Sequence, residues 1–435
     1  DGTRYTFTLR EGLAFSDGTS ISASDFKWSM ERAANPDTES TVAELYIGDI
    51  IGIQEIIDGN ATEAEGIRVI DTQTLLIIID SPKPYFLAKL TYPTAFVLEH
   101  NNVKLGGENW TENPVGTGPF VLEDYRVGER IVLARNENYN GRPAYLDKVL
   151  MNLAGGVAMA MYENDEIDIT GVGLADLDRV TDPSEPLNSD LIRVPPGFSV
   201  SYIGFNITEP PFDDSKFRRA LNHAINKELI AEQVYRGLVK PAYGILPPNF
   251  PGHSDDIAGL VYDPELSRQL IQESKYADPE TRPSIEITIP GTGGSPSLDV
   301  EIIADMWSKE LGVEANILQV EWATYLQDLN RERLQAFGGL GWSADYPDPQ
   351  DFLDILFHSE SPGNHGSYSH IEVDRYLEEA RTEPDPLRRI DLYHKAEQTI
   401  IDDAAWLPLW FDTEGLALVK PHIKGYRFTP IVVPK

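Results

Sequence analysis

Residues 285–320, IEITIPGTGGSPSLDVEIIADMWSKELGVEANILQV, decide the fold class. Ile285 to Ile289 is a short β-rich run, Gly291 to Ser297 a loop, Leu298 to Leu311 a helix, and Glu314 to Val320 a second strand. Strand, helix and strand in that order alternate as in a parallel-sheet unit, so this region is α/β.

Upstream, Ser201-Tyr202-Ile203-Gly204-Phe205-Asn206 is strand-like and leads through Pro210-Pro211-Phe212-Asp213 into a helix expected from about Ser215 to Ile230. That helix places Phe217, Leu221, Ala224 and Ile225 on one face. Downstream, Leu407-Pro408-Leu409-Trp410-Phe411 and Leu416 to Val419 are again strand-like. The stretches at 202–206 and 409–412 are therefore expected to carry the chain between two lobes. Closer to the start, Ser22 and Asp25 read as an N-cap with an acidic third residue, opening a helix that stops at Pro36. Ile67 to Ile70 and Leu75 to Ile79 form a hairpin across Asp71-Thr72-Gln73-Thr74, and strands follow at Phe120 to Leu122 and Ile131 to Ala134.

At 435 residues the chain exceeds what one hydrophobic core usually supports, so at least two cores are expected. The net charge of −34, from 36 Lys+Arg against 70 Asp+Glu, repels phosphate backbones and argues against a nucleic-acid partner. With zero Cys there is no disulfide, thiolate metal site or cysteine nucleophile. The longest obvious apolar run, Leu75 to Ile79, is far too short to cross a bilayer. Tyr5, Phe7 and Leu9 open the chain in mid-strand, which leaves room for a signal or lipid-anchor segment upstream.

Several segments together resemble the extracellular solute-binding proteins of family 5, the peptide- and nickel-type receptors of ABC importers. They are Tyr5-Thr6-Phe7-Thr8-Leu9-Arg10-Glu11-Gly12 with Phe15-Ser16-Asp17-Gly18-Thr19, Pro114-Val115-Gly116-Thr117-Gly118-Pro119-Phe120, Pro211-Phe212-Asp213-Asp214 with Arg218-Arg219-Ala220-Leu221, and Leu407-Pro408-Leu409. They occur in the family's order over nearly the whole chain. The resemblance implies an α/β, two-lobed periplasmic-binding-protein-like fold with mixed sheets and a hinge of crossing strands. The first lobe would comprise 1–204 with 411–435, including an extra subdomain at about 10–130, and the second 205–410. It also implies an extracytoplasmic receptor, periplasmic or lipid-anchored on the outer face of the cell membrane. Such a receptor acts as a monomer, hands its ligand to an ABC permease and uses no cofactor. A strand-rich stretch that begins other family members has no counterpart here and is expected to be missing. The glycines of Gly116-Thr117-Gly118-Pro119 read as a sharp turn that side chains would obstruct.

The sharpest local signal is Gly341-Trp342-Ser343-Ala344-Asp345-Tyr346-Pro347-Asp348-Pro349, two aromatics around a carboxylate in a segment that its prolines keep from being helical. Taken alone, Asp345 is a turn cap or a partner for a nearby Arg. The resemblance makes it the carboxylate that pairs with a ligand's α-ammonium, with Trp342 walling the pocket and Gly341 and Tyr346 beside them. A buried carboxylate is costly without an opposite charge, and an ammonium supplies one. Trp410 and Phe411, at the second crossing, either touch ligand or fill the hinge core, and Asn206, at the first, either ties strand ends or touches ligand. No cation precedes Trp342, which leaves Arg331, Arg333 and Lys240 as candidates for a ligand carboxylate.

The spacing of His358, His365 and His370 matches no metal pattern, and the intervening Ser361, Pro362, Gly363 and Asn364 predict an exposed loop. Asp345 with Asp348 and Asp351 resembles the acid–base pair of a glycoside hydrolase in composition, but the chain lacks Gly-x-Ser-x-Gly, His-Glu-x-x-His and Gly-x-Gly-x-x-Gly. The reading is thus of a non-enzymatic peptide or oligopeptide receptor that closes its lobes on the solute. An oligosaccharide receptor of the same family is the alternative, since stacked aromatics suit sugar faces.

Overall fold

The computed structural model describes residues 2–294 and 296–431. Ser295, inside the loop expected at Gly291 to Ser297, lies outside the described residues. The chain divides into two compact units, Asp1–Val157 and Ala158–Lys435.

The first unit holds two antiparallel sheets. Strand β1 (Arg4–Thr8) is followed by helices α1 (Ala23–Ala34), α2 (Ala43–Ile47) and α3 (Ile53–Ile57), then β2 (Ile67–Val69) and β3 (Thr74–Ile78), giving a sheet of order β1-β3-β2. The expected hairpin pairs Ile67 with Ile77, and the Asp71 carboxylate accepts from Gln73 N at 2.8 Å to make the turn. At the start of α1 the Asp25 carboxylate accepts from the Ser22 main chain and hydroxyl, both at 2.8 Å. The apolar side of α1 then packs Met30 and Ala34 onto Ile47, Ile53, Ile67 and Ile77. Helices α4 (Phe86–Lys89) and α5 (His100–Gly106) precede the second sheet, β4 (Phe120–Arg126), β5 (Arg130–Arg135) and β6 (Lys148–Asn152), in sequential order. The Gly116–Pro119 segment bends as expected, at Thr117 to Pro119, but not because side chains would be obstructed. A Cβ added at Gly116 would meet open space, and the segment is held by its carbonyls, with Ser16 N donating to Gly116 O at 2.8 Å and Asn136 Nδ2 to Gly118 O at 2.7 Å.

In the second unit, α6 (Ala158–Glu163), β7 (Ile169–Gly171), α7 (Leu177–Thr181) and β8 (Leu191–Val194) precede β9 (Ser199–Phe205). Next come α8 (Ser215–His223), α9 (Lys227–Gln233), β10 (Val239–Pro241), α10 (Pro264–Glu273), β11 (Ile285–Pro290), α11 (Leu298–Leu311), β12 (Ala315–Val320), α12 (Trp322–Asn330) and β13 (Ala336–Ser343). Helices α13 (Gln350–Phe357), α14 (Ile371–Thr382) and α15 (Pro386–Asp402) lead to β14 (Trp406–Asp412) and β15 (Gly415–Val419). A small sheet has the order β7-β15-β8, and a six-stranded sheet the order β10-β14-β9-β13-β11-β12. The unit at 285–320 forms as read, with β11 parallel to β12 and also to β13, while β9 is antiparallel to both β13 and β14, so the sheet is mixed. One face buries Ile203, Phe205, Ile287 and Leu407 against Phe217, Leu221, Leu270 and Trp307 of the helices. On the other face Tyr202 stacks on Trp406 at 3.5 Å between ring centroids, and Phe357 of α13 packs on the same tryptophan at 4.5 Å.

Chain passage between these two sheets uses β9 and β14, which are neighbours. The connections themselves fall at 195–198, between β8 and β9, and at 413–414, between β14 and β15.

Two further expectations are corrected. The helix expected from Ser215 to Ile230 is two helices, because the Asn226 side chain accepts from Leu229 N at 3.0 Å and starts α9 afresh. The stretch between His358 and His370 is not an exposed loop. Asn364 Nδ2 donates to His358 O and Tyr368 O, which folds the segment inward, and His358 and Tyr368 are each 3% exposed.

Candidate ligand-binding site

The site signal lies where β13 runs out. Gly341, Trp342 and Ser343 pair with Ser201, Val200 and Ser199 of β9. Gly341 is required by close approach, since a Cβ there would sit 2.9 Å from the Val200 carbonyl. Past the strand, Ala344 N donates to Phe198 O at 2.8 Å, and the chain turns into α13 through a chain of side-chain bonds. Asp345 N donates to Asp351 Oδ2 at 3.0 Å, Gln350 N to Asp348 Oδ1 at 3.0 Å, and the buried Tyr346 hydroxyl to Gln350 Oε1. Pro347 stays in the turn, whereas Pro349 begins the helix as its N-cap.

Asp345 and Trp342 are half-buried at this strand end, and Asp351 lies behind them with 0% exposure. Asp348 is held by Arg389 in a two-pronged pair at 2.8 and 2.7 Å, and Asp354, one turn into α13, is held likewise by Arg381 at 2.8 Å. Burial pushes the Asp351 carboxyl well above the usual carboxylate range, the charge of Asp345 pushes it the same way, and the bond from Asp345 N pulls against both. Trp342 Nε1 is sealed from solvent near this carboxyl, close enough to lower its pKa but short of a well-formed hydrogen bond.

The remaining aromatic candidates lie on another strand, Phe411 sharing with Trp342 the β9 neighbour Val200. Trp410 is 3% exposed in the sheet's main core, its Nε1 directed to Asp299 Oδ2 at 3.4 Å. Phe411 points to the opposite face and lines a cavity of about 260 Å³ with Lys240, Leu246, His253 and Glu397. The Asn206 amide is occupied at both ends: Nδ2 donates to Glu332 O at 3.2 Å, and Oδ1 accepts from Thr208 N and Oγ1. It ties the end of β9 to the loop before β13. Of the candidate cations, Lys240 is exposed and pairs with Phe411 across β10 and β14. Arg331 and Arg333 sit before β13, at the opposite end of that strand from Trp342, and Arg333 faces Asp328 at 3.5 Å.

Sequence reasoning named Asp351 only as part of a hypothetical acid–base pair. Among the described residues no group of three or more His, Cys, Asp or Glu gathers as a metal site. His365 meets Asn330 at 3.1 Å, and burial pulls its imidazole down to about 4. No helix among the described residues is long and apolar enough to cross a membrane.

The family model for bacterial extracellular solute-binding proteins, family 5 Middle, matches residues 1–364. The periplasmic oligopeptide-binding protein OppA of Escherichia coli is 30% identical over 98% of this chain and 79% of its own length. Heme-binding protein A of Haemophilus influenzae is also 30% identical, over 99% of this chain and 80% of its own. Among solved structures, the murein tripeptide binding protein MppA of Escherichia coli superposes with a TM-score of 0.88 at 28% identity, covering 99% of this chain and 85% of that one. Four-fifths of the chain inside the family model, and a fold shared along nearly its whole length, place this protein among the bacterial extracellular solute-binding proteins of family 5.

Proposed function

We propose that the chain is the extracytoplasmic receptor of an ABC importer, capturing a small peptide through its α-ammonium and performing no chemistry on it. The observation that carries this reading is the end of β13. There a half-buried aspartate, Asp345, stands beside a half-buried tryptophan, Trp342, with its main chain anchored from below by Asp351. A carboxylate on a rigid strand end next to an aromatic wall suits an ammonium attached to an organic body. Relatives named for oligopeptides and a murein tripeptide support the peptide class, although the haem-binding relative shows that the fold takes other cargo.

The acid–base alternative gains no support from the geometry. Asp348 is locked to Arg389, and Asp351 is sealed from solvent, so neither faces an open cleft opposite Asp345. In this reading two lobes close on the ligand as a monomer and present it to a permease, and the boundaries expected at 204/205 and 410/411 move to the connections at 195–198 and 413–414, because β9 and β14 stay whole within one sheet. Gly341 and Tyr346 shape the turn, and Phe411 is the aromatic at the second crossing best placed to reach a ligand.

Native mass spectrometry of the purified protein tests the class directly, the expected result being a retained peptide. Calorimetry with that peptide tests the anchor. Asp345→Ala should weaken binding by about 1.5–3 kcal/mol, the value of a charged hydrogen bond, and unchanged affinity would remove Asp345 from the site. A retained sugar would instead favour the oligosaccharide reading.

A further inference from the structure

Residues 242–263, between β10 and α10, form a long irregular connection. Three side chains of α15 hold it: His394 Nε2 meets Gly252 O at 2.8 Å, Gln398 Oε1 accepts from Ala258 N at 2.8 Å, and Glu397 Oε1 accepts from Ile245 N at 2.6 Å and Leu246 N at 3.0 Å. Against this connection lies the cavity of about 260 Å³ that Phe411 lines, with Lys240, Tyr243, His253, Asp255 and Glu397 also on its wall.

Glu397 is the odd member of that wall. It is 1% exposed, and its second oxygen, Oε2, has no hydrogen-bond partner. Among the described residues no cation neutralises it: burial raises its pKa, the two main-chain bonds lower it, and no ion pair contributes. Buried Lys227 donates Nζ to Ala242 O at 2.9 Å and lies over the Tyr243 ring at 4.9 Å. At the rim, Lys240 and Asp255 are both exposed and offset one another, so Glu397 sets the sign of the cavity. A glutamine would accept the same two main-chain bonds without burying a charge. The carboxylate therefore has a use beyond tying down the connection.

The cavity also stands in a definite relation to the strand end at Trp342. Trp342 is opposite Val200, Val200 opposite Phe411 and Phe411 opposite Lys240, in one row across β13, β9, β14 and β10. Residues paired in this way project to the same face. Strands lie about 4.8 Å apart, which sets the main chain of Phe411 about 10 Å from that of Trp342, within reach of a long side chain on a solute held at Asp345. Two aromatic rings, Tyr243 and Phe411, suit an organic cation, and the charge on Oε2, sealed from bulk water, is little screened toward the cavity.

We propose that this cavity is a second subsite of the receptor, taking a lysine-type side chain from the peptide whose α-ammonium Asp345 holds. The inference rests on the peptide-receptor reading. Glu397 supplies the charge that selects the side chain, Phe411 and Tyr243 flank its hydrocarbon stem, and the ligand brings the counter-ion that the chain itself does not provide. The net charge of −34 favours the approach of such a ligand.

The test is calorimetry with Lys-Ala-Ala and Ala-Lys-Ala against the same peptides carrying norleucine, which keeps the stem and omits the charge. A buffer of about pH 8 keeps Glu397, pushed up to about 7 by burial, mostly ionised. At one of the two positions the lysine peptide should bind the wild type at least about tenfold tighter than its norleucine counterpart, and Glu397→Gln should bring that ratio close to one. Should the glutamine variant not fold, Ile257→Lys, which puts a tethered ammonium on the cavity wall, must abolish the preference in its place. A purely structural Glu397 would move all four affinities together and leave the ratios alone. Equal affinities in the wild type at both positions overturn the subsite and leave the receptor reading standing. A lysine preference that survives in the variant also overturns the subsite, because the charge is then met elsewhere. If none of the four peptides binds the wild type, the receptor reading falls and the subsite with it.

Discussion

Glu397 of α15 is 1% exposed, and its Oε1 accepts from Ile245 N at 2.6 Å and Leu246 N at 3.0 Å while Oε2 has no partner. Burial pushes this carboxyl up to about 7, against the pull of the two main-chain bonds. A folded-state pKa above the unfolded one favours the protonated form, so the stability involved is present at acid pH and is lost as pH rises through about 7. Glu397→Gln is therefore expected to gain on the wild type between pH 5 and 8, by up to about 3 kcal/mol in urea unfolding. Lys227 has the opposite sign. Burial lowers its ammonium to about 7, with Nζ donating to Ala242 O at 2.9 Å, so it opposes folding at neutral pH and ceases to as pH rises from there toward the unfolded lysine value. Lys227→Met should flatten that rise in a pH series of unfolding midpoints. Asp345 and Trp342 were legible in the sequence because a short motif of fixed spacing carries them. Asp351, Glu397 and Lys227 were not, since a charged residue in a helical pattern reads as solvated, and only three-dimensional packing shows that it is sealed.

Elements were read well wherever side chains impose a period. The strand–helix–strand at 285–320 and the hairpin at 67–79 form as their patterns require. The expected helix from Ser215 to Ile230 failed at Asn226, where a polar side chain competes for the backbone without interrupting the apolar spacing. Asn226→Ala should cost about 1 kcal/mol of stability, the value of a lost N-cap, measurable by urea denaturation. Cross-strand packing is equally invisible in the linear pattern. Gly204 of β9 lies opposite Phe337 of β13, and a Cβ there would come within 2.1 Å of the phenyl ring. Gly204→Ala should then destabilise by roughly 1–3 kcal/mol through overpacking, and Phe337→Leu in the same chain should recover part of it.

For the whole molecule, a net charge of −34 sets a long-range repulsion that opposes compaction. Screening it should raise the thermal midpoint as salt goes from about 10 mM to 150 mM, most of the gain coming as the Debye length falls to about 8 Å. Lobe closure belongs to this scale too: small-angle scattering should show a smaller radius of gyration with the retained peptide than without it, and an unchanged radius would count against the receptor mechanism. Two cores, mixed sheets and the family were readable from length and ordered motifs. Where the compact units part was not, because the contacts divide at Val157, in a stretch with no composition shift to mark it. The paired arrangement of β9 and β14 also has a mechanical meaning. The start of β9 and the end of β14 lie side by side, with Ser199 Oγ bonded to the Asp412 carboxylate, and both connections to the small sheet leave from that one end of the pair. Two ribbons bound edge to edge behave like a strap: easy to fold across their width, stiff against twisting or sliding. Under the proposed receptor mechanism, a lobe that swings on them is confined close to a single arc, so its approach is aimed by the strap before any ligand contributes a contact.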